Sequence, residues 1–216
     1  RENLPTLDKT IRFLRRKRTA MLRAPLVPRG SGQTFAELLV DQHDMEKTVH
    51  PALSDNPLSY ISFTPFFADP QKLNELWERY RIRIEGVGCQ AGRSFAAVGA
   101  EGDITPCVQL LDSDCVCGNV RRTPLSKVLR DHPVFKALRS RDALKGKCGR
   151  CRYKNTCGGC RALAFYHSGD VLGEDPTCFF EPEGPHTRSP LEKAQTAKLA
   201  KFAKYLKYKQ PWKSIF

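Results

Sequence analysis

The sequence predicts an α/β fold that runs into a small, cysteine-rich α+β unit. Three observations lead there. Up to residue 87, helical and strand-like patterns alternate, which implies parallel strands joined by crossover helices. From Gly88 onward turns are dense, and all nine cysteines fall in this part. The chain has 216 residues and 40% apolar content, enough for one domain or one and a half with a real core.

The elements follow in order. Residues 7–18, LDKTIRFLRRKR, read as an amphipathic helix, with Leu7, Ile11 and Leu14 at helical spacing and basic residues between them. Ala20 to Val27 reads as a short strand ended by Pro28, Gly30, Ser31 and Gly32. Thr34 to His50 reads as a second helix, with Phe35, Leu38, Leu39 and Met45 on one side. Tyr60 to Phe67 is aromatic and β-branched, so it reads as a strand. Ala68 to Tyr80 reads as a helix with Pro70 near its start, and Arg81 to Val87 as another strand.

In the second half, Phe95–Val98 and Ile104 predict a hairpin through Gly99 and Gly102, which brings Cys89 and Cys107 together. Thr123 to Leu138 predicts one or two helices, with Thr123 as a cap, Pro124 in the first turn and a break at His132-Pro133. Arg161 to His167 reads as a short helix followed by turns at Ser168–Asp170 and Asp175-Pro176. Residues 181–190 read as a linker, and Leu191 to Lys209 as a basic helix that caps the domain with its lysines toward water.

The chemistry concentrates between Cys148 and Cys178, where five of the nine cysteines lie in 31 residues. Their spacing is C-x2-C-x5-C-x2-C, then seventeen residues, then Cys178. Two residues between thiols let one turn aim both sulfurs at a single metal or cluster. Gly149, Gly158 and Gly159 crowd the ligands and let backbone N–H groups approach cluster sulfurs. A disulfide framework fits poorly: nine is odd, and no secretory leader is visible. Zinc ribbons separate their two knuckles by some fifteen to twenty residues, against five here. Scattered core thiols would not be spaced so regularly. Iron–sulfur ligation suits a thiolate-only site best.

These residues resemble the SPASM domain, the C-terminal auxiliary-cluster region of radical S-adenosylmethionine enzymes. The family pattern is a cysteine, a gap, Gly-x4-Cys, a gap, C-x2-C-x5-C-x3-C, a gap and a last cysteine. Here Cys89 is followed by twelve residues, Gly102-x4-Cys107, and then Cys148, Cys151, Cys157, Cys160 and Cys178. Two residues instead of three separate Cys157 and Cys160. That CGGCRA form, and the stretch GNVRRTPLSKVL from Gly118 to Leu129, resemble the haem-biosynthesis branch, the haem d1 maturase-like enzymes and iron-coproporphyrin decarboxylases.

The resemblance implies two [4Fe-4S] clusters. One would be held by Cys148, Cys151, Cys157 and Cys178. Cys160 would cross to the other, joining Cys89 and Cys107. Relatives supply a fourth ligand a few residues after the first cysteine, but Phe95 stands near that place. Cys115 and Cys117 are the unassigned thiols. Alternate residues of an extended segment point to opposite sides, so one of them is expected to serve. Cys117 is favoured because Gly118 beside it allows close approach; an open or water-bound iron is the alternative.

The resemblance also implies three segments: residues 1–84 as the end of a partial (β/α) barrel, 85–180 as the SPASM domain, and 181–216 as linker and basic helix. Radical enzymes of this kind hold their reactive cluster on a C-x3-C-x2-C loop, and no cysteine precedes Cys89. S-adenosylmethionine would therefore belong to an N-terminal half outside this chain, which starts with Arg rather than Met. The expected role is electron relay or substrate positioning for a porphyrin-like or peptide substrate, with the N-terminal half or an electron donor as partner. The rival is a stand-alone iron–sulfur or zinc module that docks a partner through its basic surface.

Net charge is +13, from 36 Lys and Arg against 23 Asp and Glu. Two clusters at about −2 each leave an excess of about +9. That excess favours an anionic partner without choosing one; nucleic acid is not the expected partner. No apolar run is long enough to span a membrane, and reduced thiols in number fit a cytoplasmic location. His43, His50, His132, His167 and His186 are scattered and form no hydrolytic constellation.

Overall fold

The structure, a computed structural model, describes residues 2–17, 25–30, 37–49, 51, 78 and 88–182. The chain divides into two units, Arg1–Pro182 and Glu183–Phe216, and every described residue belongs to the first. The expected strands at 60–67 and 81–87, the helix at 68–80 apart from Glu78, and the basic tail helix lie outside the described residues. So does most of the alternation on which a barrel rests.

A 3₁₀ turn at Leu4–Thr6 with proline at its start leads into α1, Leu7–Arg16. Leu7, Ile11 and Leu14 are its only residues that are not exposed, which is the face the spacing predicts. Ile11 packs with Met45 and Val49, and Phe179 from the far end of the cysteine region joins them. The second helix departs from expectation. It is a short α2, Gln42–Asp44, continued by a π-helical turn, Met45–Val49. Asp41 has an extended backbone, and its carboxylate accepts the Asp44 N–H at 2.8 Å. That cap starts a helix where the pattern alone would carry one through. The expected strand at 20–27 is also not seen where it is described: residues 25–30 form no strand, although Val27 is buried.

From Gly88 the chain is a mix of short helices around a small antiparallel sheet. The sheet has three strands in the order β1 (Ala97–Val98), β2 (Asp103–Thr105), β3 (Gly118–Asn119). The expected hairpin pairs Ala97 with Thr105 and Val98 with Ile104. The third strand, pairing Ile104 with Gly118, was not legible because two residues carry no alternation. Asn119 fastens it: its Nδ2 donates to the Glu101 carbonyl at 2.9 Å and to Asp103 Oδ1 at 2.8 Å.

Helices α3 (Leu125–Asp131) and α4 (Pro133–Ser140) meet at the predicted break. His132 closes the first and caps the second, its Nδ1 accepting the Val134 N–H at 3.3 Å. Val128 and Phe135 from these helices pack under the sheet against Ile104 and Cys117. A five-residue helix, α5 (Gly146–Arg150), carries Cys148. The last, α6 (Arg161–Ser168), starts directly after Cys160 as predicted.

Candidate metal centre

Each cysteine is placed by a local device. Cys89 follows Gly88, and its N–H donates to the Cys157 carbonyl at 2.9 Å. That bond ties the first cysteine to the third of the C-x2-C-x5-C run. Gly88 has φ +68, and a Cβ there would stand 2.0 Å from the Thr156 carbonyl oxygen, so only glycine fits. Gly92 donates to the carbonyls of Phe95 and Pro106 at 2.9 and 3.0 Å, folding the loop after Cys89 back beside Cys107. Cys178 is set by an Asx turn: Asp175 Oδ1 accepts the Thr177 N–H at 2.9 Å and its hydroxyl at 2.8 Å.

All nine cysteines are free thiols, and seven of them are buried. Cys148, Cys151, Cys157 and Cys178 line one cavity with Lys147, Lys154, Gly158, Gly159 and Phe180. Its empty volume is about 320 Å³, space at its mouth included. Among the described residues no three His, Cys, Asp or Glu side chains converge closely enough to grip a single metal ion. The four thiols line one cavity, and an all-thiolate set of this kind serves iron–sulfur clusters as well as zinc.

Two sulfurs in this cavity accept backbone N–H groups. Tyr153 donates to Cys151 Sγ at 3.3 Å and Gly159 to Cys157 Sγ at 3.4 Å. Glycine at 159 is required by approach: a Cβ there would lie 2.9 Å from Cys148 Sγ. Cations flank the site. Arg161 Nη2 stands 3.5 Å from Cys148 Sγ, and Lys147 Nζ donates to the Cys178 carbonyl at 2.9 Å. Burial pushes the Cys178 thiol up to about 12, with Asp175, Cys148 and Cys151 adding to the shift against a backbone hydrogen bond at Phe180.

Cys89, Cys107 and Cys160 form a second group. Burial pushes the Cys160 thiol up, and Asp175, Cys89 and Cys107 push it further. Burial also raises Cys107, with Cys89 adding to it and the Gln109 backbone opposing it. These mutual effects mark three thiols close enough to feel one another.

The CVC pair divides between two apolar clusters. Cys117, the sequence's choice for the fourth ligand, packs in the apolar cluster of Ile104, Val128 and Phe135. Its thiol donates weakly to the Cys115 carbonyl at 4.0 Å. Cys115 belongs to the other apolar cluster, which includes Leu110, Leu138 and Cys160 and borders Cys107. A hydrogen bond between the two thiols lowers Cys115 and raises Cys117.

Comparison with known proteins bears on the second half. Residues 89–161 match the SPASM family, described as an iron–sulfur cluster-binding domain. This stretch is similar to SPASM domains. Outside it, Cys178 completes the cavity. The AdoMet-dependent heme synthase of Nitratidesulfovibrio vulgaris (strain Hildenborough) is 40% identical over 95 residues, 44% of this chain. The matched stretch spans a quarter of the length of that curated relative. Among the described residues no helix is long and apolar enough to cross a membrane.

Sequence reasoning missed the charged residues of the site. Arg141, Arg161 and Asp175 are 4%, 2% and 0% exposed, and all touch the cysteine loops. Spacing rules speak for ligands and glycines, not for what lies behind them. The one available signal was chemical: charged residues next to or between ligands in a region too small to leave them all outside.

Proposed function

We propose that this chain is the auxiliary-cluster part of a radical S-adenosylmethionine enzyme. Four thiols around one cavity beside a three-thiol group is the observation that carries this reading. Two [4Fe-4S] clusters would occupy these places, the first on Cys89, Cys107 and Cys160, the second on Cys148, Cys151, Cys157 and Cys178. The first cluster's fourth ligand is sought on the Cys115–Cys117 segment, where Cys117 has the sequence argument and Cys115 the shared packing.

Bound clusters supply one-electron transfer. The protein's own residues hold the thiols in place, keep water away and set the local charge. Burial of seven thiols excludes solvent, and Arg161 and Lys147 offset negative charge around Cys148 and Cys178 in the four-thiol cavity. The role is to relay electrons, or to hold substrate, for a reaction started in an N-terminal half that binds S-adenosylmethionine. The likeness to a heme synthase favours a porphyrin-like substrate over a peptide. The cytoplasm is the fitting compartment for reduced thiols and oxygen-sensitive clusters.

The test is metal analysis of protein prepared without oxygen. About eight irons and eight sulfides per chain are expected. Zinc with no sulfide overturns the reading.

A further inference from the structure

We propose that Arg161 sets the reduction potential of the second cluster, with Asp175 acting in the opposite direction. The inference rests on the two-cluster reading above and concerns residues that are not ligands.

Arg161 is 2% exposed, and all three guanidinium nitrogens are engaged. Nε donates to the Gly159 carbonyl at 3.3 Å, Nη1 to the carbonyls of Val171 and Gly173 at 3.1 and 2.6 Å. These bonds fix the plane of the group. Nη2 is left pointing at Cys148 Sγ, 3.5 Å away. Gly159 has no side chain to intervene; a Cβ would meet Nη2 at 2.7 Å. The arginine is therefore held against a sulfur of the cavity by atoms that belong to neither.

Reduction adds negative charge to a cluster and its thiolates. A fixed buried cation that donates N–H to one of those sulfurs stabilises the reduced form and raises the potential. A guanidinium suits this role because it stays charged when buried and holds its donors in a rigid fork.

Asp175, 0% exposed, faces the same side of Gly159 as Arg161, its Cβ 2.9 Å from where a Cβ on that glycine would stand. Its Oδ2 accepts the Cys160 N–H at 2.7 Å. A carboxylate there disfavours extra negative charge on its neighbours. The two residues thus bias the clusters with opposite sign. Among the described residues, Lys147 and Arg141 also reach these loops, donating to backbone carbonyls and to Glu181, and Lys154 pairs with Asp142.

The experiment is a potentiometric titration of the whole chain, loaded with clusters and read by electron paramagnetic resonance. Iron and sulfide are counted first. Arg161→Met is expected to lower the potential of the second cluster by at least a tenfold change in its oxidised-to-reduced ratio, about 59 mV for one electron. Arg161→Lys is expected to recover part of that shift. Asp175→Asn keeps an oxygen for the Cys160 N–H and is expected to raise the potential. Loosened packing would move both variants the same way, so opposite signs separate charge from structure. If Arg161→Met fails to load, the Lys and Asn variants still decide. Two clusters with unmoved potentials, or shifts of one sign, overturn the inference alone. Iron for fewer than two clusters in the unaltered chain overturns the two-cluster reading, and this inference with it.

Discussion

The guanidinium of Arg141 donates to the backbone carbonyl of Cys89, 52 residues away in sequence. Its other arm donates to the carbonyls of Lys154 and Asn155 at 2.8 and 3.0 Å. One side chain thus joins the loop of the first cysteine group to the loop between Cys151 and Cys157. Burial, and then the neighbouring Arg93, pull the guanidinium down to about 10, so it remains charged at neutral pH. The residue also sits at φ +56 just past α4, where glycine is the usual choice.

These two facts bear on two substitutions. Arg141→Gly relaxes the backbone, and Arg141→Lys keeps a charge, but each loses the fork. Three carbonyls left without their donor cost about 1–3 kcal/mol each where water cannot reach them. Both variants are expected to lose about 3 kcal/mol or more in denaturant unfolding and to bind less iron. Full iron and a loss under 1 kcal/mol in the glycine variant would show that the fork is dispensable.

Gly88 makes a second link between the same loops. An added methyl would press on the carbonyls of Thr156 and Cys157 at 2.0 and 2.5 Å, backbone atoms that cannot swing aside. Overpacking costs about 1–3 kcal/mol, and the left-handed backbone adds about 1 kcal/mol for a residue with a Cβ. Gly88→Ala is therefore expected to destabilise by about 2–4 kcal/mol. It should disturb both cluster signals rather than one, because the Cys89 N–H bond to Cys157 spans the two groups. Spectra of each cluster, recorded side by side with unfolding curves, check this.

What could be read from the sequence divides along physical lines. Amphipathic helix α1, the hairpin, the break at His132-Pro133 and the start of α6 all follow from local pattern and turn chemistry. The spacing of seven cysteines points to ligands because ligand geometry restricts spacing. Strand β3 escaped because Gly118 and Asn119 pair only through a neighbour far along the chain. Helix α2 was drawn too long because periodicity ignored the Asp41 cap. Arg141, Arg161 and Asp175 escaped because their partners are backbone carbonyls, amides and a sulfur brought together by folding.

Asp170 gives a dependence on pH. Its carboxylate takes a hydrogen bond from Lys145 Nζ at 2.6 Å and from the Leu172 N–H at 2.8 Å, fastening the turn after α6 to the residue before α5. The Lys145 bond holds it below the usual 3.8; burial opposes it, and the Leu172 bond and the charges of Lys145 and Arg161 add to the lowering. A depressed pKa means that the stabilisation is present above pH 3.8 and fades as the pH falls through the folded value. The pair is partly exposed, so its worth is about 0.2–1 kcal/mol. Asp170→Asn is expected to lose that amount between pH 5 and 8, with the difference from the unaltered chain shrinking below pH 3.8. Urea unfolding across pH measures it, and a difference that grew on acidification would contradict the assignment.

The division of ligands is open to a direct test by serine substitution. Cys160 is only three residues past Cys157, and by spacing it could serve as the fourth ligand beside Cys148, Cys151 and Cys157. Packing argues otherwise, because Cys178 and not Cys160 lines the cavity with those three. Cys160 is instead influenced by Cys89 and Cys107. With iron content and the resonance signal of each cluster as readout, Cys178→Ser should perturb the signal that Cys148→Ser perturbs. Cys160→Ser should group with Cys89→Ser. If Cys160→Ser groups with Cys148→Ser, the crossed arrangement is wrong. The CVC pair is decided in the same series. Cys117 lies among Ile104, Val128 and Phe135, where serine would bury a hydroxyl and cost about 1–3 kcal/mol whatever its role. Stability alone therefore cannot identify a ligand, and the signal of the first cluster must be read. A ligand at Cys117 requires that signal to change in Cys117→Ser and to survive in Cys115→Ser. The reverse outcome assigns the place to Cys115, whose apolar cluster contains Cys160. Survival in both leaves an iron of the first cluster with a ligand from solvent or substrate.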